Sequence, residues 1–146
     1  MVKPPEPRFA PAAGVPGLRA LHTERGGVWS WVVRPGVYAT EVWGHLSVEM
    51  AEQIVSHSAP VVRAYRMDSF NCWFEMTGYD SEARAALTRA ARENRNPGHL
   101  HIGTRSKLVA MGVSVANLVL GGRIHHHATM PELRAALEAA PRRSSP

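Results

Sequence analysis

The pattern of hydrophobic and polar residues predicts a chain that starts with two strands and then alternates between helix and strand. Residues 28–34 and 37–45 are rich in Val, Trp and Tyr. They are separated by Pro35 and Gly36, a pair typical of turns, which predicts an antiparallel hairpin. Further strands are predicted at 70–76, 99–103 and 123–128, bounded by residues that favour turns. The chain is therefore expected to belong to the α/β class.

Capping and helix-stopping residues predict the helices between these strands. Ser47 begins the first helix, which is expected to end near residue 56, and Pro60 allows a second short turn of helix before Asp68. Gly121 and Gly122 end the predicted helix 106–120. The remaining helices are expected at about 81–94 and 131–140. The predicted element order is ββαβαβαβα, with a mixed sheet and helices mainly on one face.

Alternation within the strands indicates which side chains share a face of the sheet. Helices are expected to cover the face that carries the apolar strand residues Phe70, Cys72, Phe74, Met76, Leu100 and Ile102. The other face would carry Asn71, Trp73, Glu75, His99 and His101. We expect this second face to be open or covered by a partner, which makes Trp73, His99 and His101 a candidate interaction face.

Length and composition favour one domain of 146 residues, 45% of them hydrophobic. We assign residues 1–27 to a Pro-rich arm, either flexible or laid as a strap over the domain, 28–140 to the domain, and 141–146 to a disordered tail. No apolar run suits a membrane span or a signal peptide. The single Cys72 excludes an intramolecular disulfide framework. These features predict a cytoplasmic protein.

The net charge of +5 raises the question of nucleic-acid binding. Much of this charge lies in the arm and in the tail, where Arg142 and Arg143 stand. Residues 28–140 contain eleven basic and ten acidic residues, a net charge of +1. Such a domain lacks a basic stripe that would displace counterions from phosphates. We therefore expect neither nucleic-acid nor membrane partners.

One junction between a strand and a helix, residues 70–87, carries a recognisable motif. The segment Glu75-Met-Thr-Gly-Tyr-Asp-Ser81 runs directly into a predicted helix, and Ser106-Lys-Leu-Val109 begins another. With the hairpin and the alternation that follows, residues 28–140 resemble the STAS domain, and in particular the SpoIIAA-like group of small bacterial proteins. The resemblance implies an α/β STAS-like fold and a role like that of anti-sigma-factor antagonists.

In that family an Asp-Ser pair at this junction supplies the serine that a partner kinase phosphorylates, so the resemblance implies Ser81 as phosphoacceptor, next to Asp80. A phosphate there would sit on the unpaired N–H groups of a helix N-terminus. Thr77 is a weaker candidate. The family usually continues with a small hydroxyl residue and Gly, whereas this chain has Glu82 and Ala83. Glu82 would repel a phosphate, and ordinary helix capping is the alternative role of Asp80 and Ser81. We expect this loop, with its candidate residues Thr77, Asp80, Ser81 and Glu82, to contact a protein partner whether or not it is modified.

Other chemistry finds less support in the sequence. His99, His101, His125 and His127 have the i, i+2 spacing of metal ligands on two strands, but no carboxylate or thiolate stands at ligand spacing, and we expect no physiological metal or cofactor. Cys72 is expected to be buried and inert, and nucleophile elbows and phosphate-binding loops are absent from the sequence. We therefore expect no enzymatic activity.

The sequence thus predicts a non-enzymatic regulatory or protein-interaction module of a bacterial cytoplasm. Its partner would be a protein, such as a kinase-like or sigma-regulatory protein. The helix 106–120 is apolar nearly all round, which predicts burial in the core or at a contact between subunits. We expect a homodimer or a partner contact through the second face of the sheet, where Trp73 would form an apolar patch. The alternative function is a small-ligand or anion-binding domain of the STAS or Sec14-like type, although we expect the chain to be too short for an enclosed cavity.

Overall fold

The computed structural model describes residues 2–6, 8–11 and 17–141, and its regular elements lie within the last of these ranges. Outside the described residues lie 142–146 of the predicted tail and 1, 7 and 12–16 of the predicted arm. In chain order the elements are β1 (Arg19–Thr23), β2 (Gly26–Arg34), β3 (Val37–Leu46), α1 (Val48–Ala64), β4 (Met67–Tyr79), α2 (Ser81–Glu93), β5 (Pro97–Thr104), α3 (Lys107–Val119), β6 (Ile124–His127) and α4 (Met130–Ala139).

The six strands form one mixed sheet whose spatial order is the chain order, β1 to β6. The first three strands pair antiparallel, and β3, β4, β5 and β6 pair parallel. The α/β class and the predicted order ββαβαβαβα are confirmed from β2 onward. The structure adds β1, which pairs with β2 from Arg19 to Thr23, so the sheet begins within the predicted arm and not at residue 28.

The helices begin where capping residues predict. The side-chain oxygens of Ser47, Ser106 and Thr129 each accept a hydrogen bond from a backbone N–H in the first turn of α1, α3 and α4. Gly121 and Gly122 follow α3 with φ angles of +68° and +83°, a conformation that glycine adopts without strain. These local signals fix the helix ends, although they do not decide which face of the sheet each helix covers.

Helix α1 is longer than the sequence predicts. It continues through Pro60 to Ala64 as one helix of 17 residues, where two short helices were expected. Proline removes one hydrogen bond from a helix interior and crowds the preceding turn, so its presence is unfavourable by about 3 kcal/mol. The helix continues because Val61 and Val62, which follow the proline, pack against the hydrophobic core beside Ile54. Tertiary packing therefore outweighs the local preference.

Both faces of the sheet are covered. Helices α1, α2 and α3 pack on one face, where the core includes Val28, Val42, Trp73 and Ile102. Helix α4 and the N-terminal segment pack on the other face, where Leu133 joins a second core of strand residues, which are Trp29, Trp31, Val37, Ala39, Trp43, Phe70, Cys72 and Phe74. The placement of helices mainly on one face is confirmed, since three of the four lie together.

The assignment of individual side chains to the two faces was wrong in part, since Phe70, Cys72 and Phe74 share a face as expected, but not with Ile102 or Met76. Phe70, Cys72 and Phe74 lie on the α4 face, whereas Ile102 lies under the three helices. Register explains this result, because Phe70 pairs with His101 and Asn71 pairs with Ile102. Met76 also departs from the simple alternation and lies with Trp73, since the three steps of β4 from Cys72 to Glu75 match only two steps of β3, from Glu41 to Trp43.

Candidate functional site

The junction between β4 and α2 places Asp80 at the N-cap of α2, but its side chain does not cap that helix. One carboxylate oxygen lies 2.8 Å from Nε2 of His45, the residue before the last of β3. This hydrogen bond is the main cause of a lowered Asp80 pKa, and the backbone N–H of Val48 contributes to the same direction. The Asp80 side chain therefore connects the start of α2 to the end of β3 and the start of α1, and does not accept a hydrogen bond from the first turn of α2.

The other candidate residues of this junction face solvent. Ser81 and Glu82 are exposed in the first turn of α2, and Thr77 is exposed on β4. The Ser81 hydroxyl is thus accessible to a modifying enzyme, while Glu82 keeps a negative charge beside it. The structure brings Asp80, Ser81 and Glu82 together at one corner of the domain, as expected from their adjacency.

Trp73 does not share a face with His99 and His101, contrary to the expectation from alternation. Its side chain is 9% exposed and lies in the core under the three helices. His101 lies on the opposite face, where its ring stacks on Phe70 with centroids 4.5 Å apart. The predicted interaction face of Trp73, His99 and His101 is therefore not one continuous surface.

Four histidines gather on the α4 side of β5 and β6. Nδ1 of His99 lies 3.1 Å from Nε2 of His125, and Nδ1 of His101 lies 3.0 Å from Nε2 of His127. Burial, together with the neighbouring His125 and His127, lowers the pKa of His101 to about 4. Within the described ranges, no three His, Cys, Asp or Glu side chains are grouped so as to hold a metal ion.

The N-terminal segment crosses the same face and is fixed by one buried carboxylate. Glu41 of β3 accepts hydrogen bonds from the backbone N–H groups of Phe9 and Ala10, at 2.9 and 2.8 Å. Burial raises the pKa of Glu41 and that of the adjacent Cys72 thiol. Of the two forms expected for the arm, residues 8–11 thus adopt the strap, and Cys72 is a buried, protonated thiol.

A cavity that is partly open to solvent lies on the other side of the sheet, between β3, β4, β5 and the helices α1, α2 and α3. Its volume is about 630 Å³, and its walls are mainly apolar. Small residues on the inner sides of the helices, among them Ala59, Ala91, Gly112 and Ala116, leave this space open. Larger apolar side chains complete the lining, including Leu46, Ile54, Val62, Met67, Met76, Leu87, Leu100, Ile102, Val109, Val113, Leu120 and Ile124.

The polar side chains on the floor of this cavity are hydrogen-bonded to one another. Trp73 Nε1 donates to Thr40 Oγ1 at 3.1 Å, and this hydroxyl donates to Asn71 Oδ1 at 2.7 Å. Asn71 Nδ2 then donates to Ser69 Oγ and to the carbonyl oxygen of His101. Tyr38, also on the floor, lies within hydrogen-bonding distance of His57, which is outside the lining and is itself paired with Ser30. Because these partners lie within the protein, the floor needs no polar ligand.

The arginines of the cavity are less completely satisfied. The Nε atoms of Arg84 and Arg123 are buried and make no hydrogen bond to the described residues. Arg63 and Arg95 also line the cavity, and Glu93 is the acidic residue of the lining. The ion pairs found within the described ranges join His45 to Asp80 and Arg105 to Glu75, and so involve none of these four arginines.

A comparison with solved structures decides the fold family. The chain is similar to the crystal structure of a DUF3478-family protein with a SpoIIAA-like fold from Shewanella loihica PV-4, with a TM-score of 0.59 and 15% identity. The match covers 80% of this chain and 98% of that one. The chain has a SpoIIAA-like fold. No family model matches the sequence, and a comparison with curated proteins finds no match either.

Within this SpoIIAA-like fold, the cavity is the feature that sequence reasoning missed. The chain was expected to be too short for an enclosed cavity, and the observed space is partly open to solvent. It exists because α1, α2 and α3 turn alanines and a glycine toward the sheet. The clustering of Ala59, Ala90, Ala91, Gly112 and Ala116 on three helices is the signal that could have indicated it.

No helix in the described part of the chain is long and apolar enough to span a bilayer.

Helix α3 of the SpoIIAA-like fold is buried on one side only. Val109, Gly112 and Val113 face the interior, as expected for a core helix. The opposite side exposes large apolar residues, which are Leu108, Met111, Val115, Leu118 and Val119, and Leu118 is 84% exposed. A helix of this kind presents an apolar strip to its surroundings.

Proposed function

We propose that this chain is a non-enzymatic binding domain for a small, largely apolar molecule, which occupies the partly open cavity between the sheet and the helices α1 to α3. The observation that carries this proposal is the apolar volume of about 630 Å³. Sites for small ligands typically have volumes of about 300–1,000 Å³ and are lined by apolar side chains with a few polar groups. The cavity fits both criteria.

The energetics of packing support the same conclusion. Protein interiors are close-packed, and voids larger than a water molecule are few. Water in a partly open space of this size would leave the apolar walls hydrated, which is unfavourable by about 25 cal/mol per Å² of apolar surface. The mainly apolar walls therefore favour an apolar molecule over water.

The composition of the lining supports binding without catalysis. The described residues of the lining include no histidine and no cysteine, and Glu93 is the only carboxylate among them. A nucleophile activated by a neighbouring base therefore has no counterpart there. Cys72 lies on the other face of the sheet, and burial raises its pKa.

A pair of alanine substitutions tests the proposal. Ala91→Phe fills the cavity from α2, whereas Ala85→Phe adds the same ring to an exposed position of the same helix. We expect the neutral dye N-phenyl-1-naphthylamine to bind the wild-type protein and the Ala85→Phe variant with equal affinity. The Ala91→Phe variant should bind it at least tenfold more weakly while unfolding cooperatively. Equal binding by all three proteins would contradict the proposal.

A second candidate function is the regulatory role implied by the resemblance to anti-sigma-factor antagonists in a bacterial cytoplasm. It is favoured by the exposure of Ser81 at the first position of α2. A phosphate on Ser81 would add about two negative charges next to Glu82 and would alter any surface that docks on this corner. The partner would be a kinase-like or sigma-regulatory protein.

Binding measurements with a co-purifying protein partner test this second function. Ser81→Ala removes the hydroxyl, and Asp80→Ala removes the hydrogen bond to His45. If the corner contacts the partner, at least one substitution should weaken binding several-fold. Unchanged affinity of both variants would exclude the corner from the contact. Phosphopeptide mapping of residues 70–92 from native cells would show whether Ser81 is modified.

A further inference from the structure

We propose that the ligand of this cavity is amphipathic, with one anionic head group bound by Arg123 and an apolar tail lying along the sheet. This inference rests on the proposed function and adds the chemical class and the orientation of the ligand. It follows from the arrangement of guanidinium groups at one end of the cavity and from the hydrogen bonding of the cavity floor.

Arg123 is anchored on one side and unsatisfied on another. It lies just before β6, and its Nη1 donates to the carbonyl oxygen of Ala91 in α2, at 3.2 Å. Its Nε is buried and has no partner among the described residues. A buried donor without a partner is unfavourable by about 1–3 kcal/mol, more when the group is charged. An anionic oxygen at this position would satisfy the donor and the charge together.

The topology places further positive charge at the same end. Each of the helices α1, α2 and α3 connects two parallel strands, so its C-terminal end lies at the edge where the following strand begins. Arg63 at the end of α1, Arg95 after α2 and Arg123 after α3 therefore share this edge and line the cavity. Glu93 is the one acidic residue with them, which leaves an excess of positive charge.

Burial makes the charge of Arg123 unfavourable in the absence of an anion. Loss of solvent lowers the pKa of its guanidinium, and no other cause contributes to this direction. An anionic head group would offset this loss of hydration by direct pairing, as arginine does when it binds a carboxylate through two parallel hydrogen bonds.

The remaining polar groups indicate where the tail lies. Asn71 and Trp73 on the floor are satisfied by the buried Thr40 hydroxyl, so no polar ligand atom is required over the middle of the sheet. Apolar side chains such as Met76 and Val109 line the cavity toward the other end of the strands. An apolar tail directed away from Arg123 therefore buries its surface and leaves no polar group of the floor without a hydrogen-bond partner.

Arg84 provides a matched control for the position of the head group. Its Nε is also buried without a partner among the described residues, and it also lines the cavity. It precedes Ala91 by seven residues on α2, which corresponds to about 10 Å along the helix axis. The backbone of Arg84 therefore lies about two turns of α2 from the carbonyl group that Arg123 contacts, and a small head group on Arg123 is expected to depend little on Arg84.

Calorimetric titration with decanoate and with 1-decanol tests the inference. Wild-type protein should bind decanoate at least tenfold more tightly than decanol. Arg123→Met should weaken decanoate binding by about 10- to 100-fold, the range expected for a charge-assisted hydrogen bond, and should leave decanol binding unchanged. Arg84→Met should change decanoate binding less than threefold. Arg123→Lys keeps the positive charge but cannot form two parallel hydrogen bonds, so its affinity for decanoate should lie between those of the wild-type protein and Arg123→Met. It provides a second variant if Arg123→Met does not fold.

Two outcomes would overturn the inference while the proposed function stands. Equal affinity for decanoate and decanol, unaffected by Arg123→Met, would show that no anionic head is recognised. A loss of decanoate binding with Arg84→Met and not with Arg123→Met would show that the head group binds Arg84 and not Arg123. If the neutral dye, decanol and decanoate all fail to bind, the proposed function itself fails, and this result is distinct from the other two.

Discussion

The indole Nε1 of Trp73 donates a hydrogen bond to the hydroxyl of Thr40 on the neighbouring strand, at 3.1 Å. The same hydroxyl donates to Asn71, so that two strands are joined by side chains as well as by their backbones. This arrangement lies under the helices α1 to α3 and forms the floor of the cavity. Trp73 is therefore a structural residue, although its position on an alternating strand suggested a surface role.

Substitutions of Trp73 should act on stability. Trp73→Phe removes the hydrogen bond and leaves the Thr40 hydroxyl with one partner fewer, and we expect the free energy of unfolding to fall by about 1–2 kcal/mol. Trp73→Ala should lower it by about 3–5 kcal/mol because it also leaves a cavity. Urea denaturation measures both changes. In a double-mutant cycle with Thr40→Val, a coupling energy near zero would contradict the assigned bond.

Glu41→Gln should release the N-terminal strap. The carboxylate accepts from both Phe9 and Ala10, whereas an amide would present an N–H group to one of these donors. We expect the unfolding free energy to fall by about 1–3 kcal/mol and the amides of Phe9 and Ala10 to exchange faster with solvent. Glu6→Gln, at an exposed position of the same segment, serves as the control. Unchanged exchange at both amides would show that Glu41 does not hold the strap.

Gly103→Ala should destabilise the α4 face of the sheet. A Cβ atom at this position would lie 2.3 Å from the buried ring of Phe74. Crowding of this kind in a packed core costs about 1–3 kcal/mol, which thermal or urea unfolding would detect. In a protein that already carries Phe74→Leu, Gly103→Ala should lower the free energy of unfolding by less than it does in the wild-type protein. Simple additivity of the two substitutions would show that the ring and the glycine are not in contact.

The histidine cluster predicts a loss of stability in acid. The folded-state pKa of His101, about 4, lies below its ordinary value of 6.5, so the unfolded chain binds the proton more readily between these values. The contribution of His101 is therefore present above pH 6.5 and is lost as the pH falls toward 4. His57 and His127, whose pKa values burial also lowers, act in the same direction, whereas the raised pKa of Glu41 acts in the opposite one.

His101→Gln isolates this contribution. Each proton bound in excess by the unfolded state changes the unfolding free energy by about 1.4 kcal/mol per pH unit. Compared with the wild-type protein, the variant should therefore lose less stability between pH 6.5 and pH 4.5 in urea denaturation. Measurements at pH 8 give the baseline effect of the substitution itself. An identical pH dependence in both proteins would show that His101 titrates normally.

Sequence patterns predicted the elements well because their signals are local. Ser47, Ser106 and Thr129 cap helices through hydrogen bonds within one turn, and Gly121 and Gly122 adopt a conformation that other residues avoid. The continuation of α1 through Pro60 could not be predicted in this way. It depends on contacts with the core, which lie far away in the sequence.

The faces of the sheet illustrate a different limit. Alternation shows that Phe70 and Trp73 point in opposite directions, but both faces are buried, so hydrophobicity does not tell which is covered by three helices. Register between strands decides that His101 lies beside Phe70. The adjacency of Asp80 and Ser81 could be read directly from the chain, whereas the bond from Asp80 to His45 required the paired ends of β3 and β4.

The two outermost strands of the sheet are its shortest, with five residues in β1 and four in β6. A short edge offers few free backbone groups for another chain to extend the sheet. Assembly through strand addition is therefore disfavoured at both ends. If copies of this chain associate, the exposed apolar strip of α3 is better suited to the contact, and the expected homodimer would be built from helices instead of a continuous sheet.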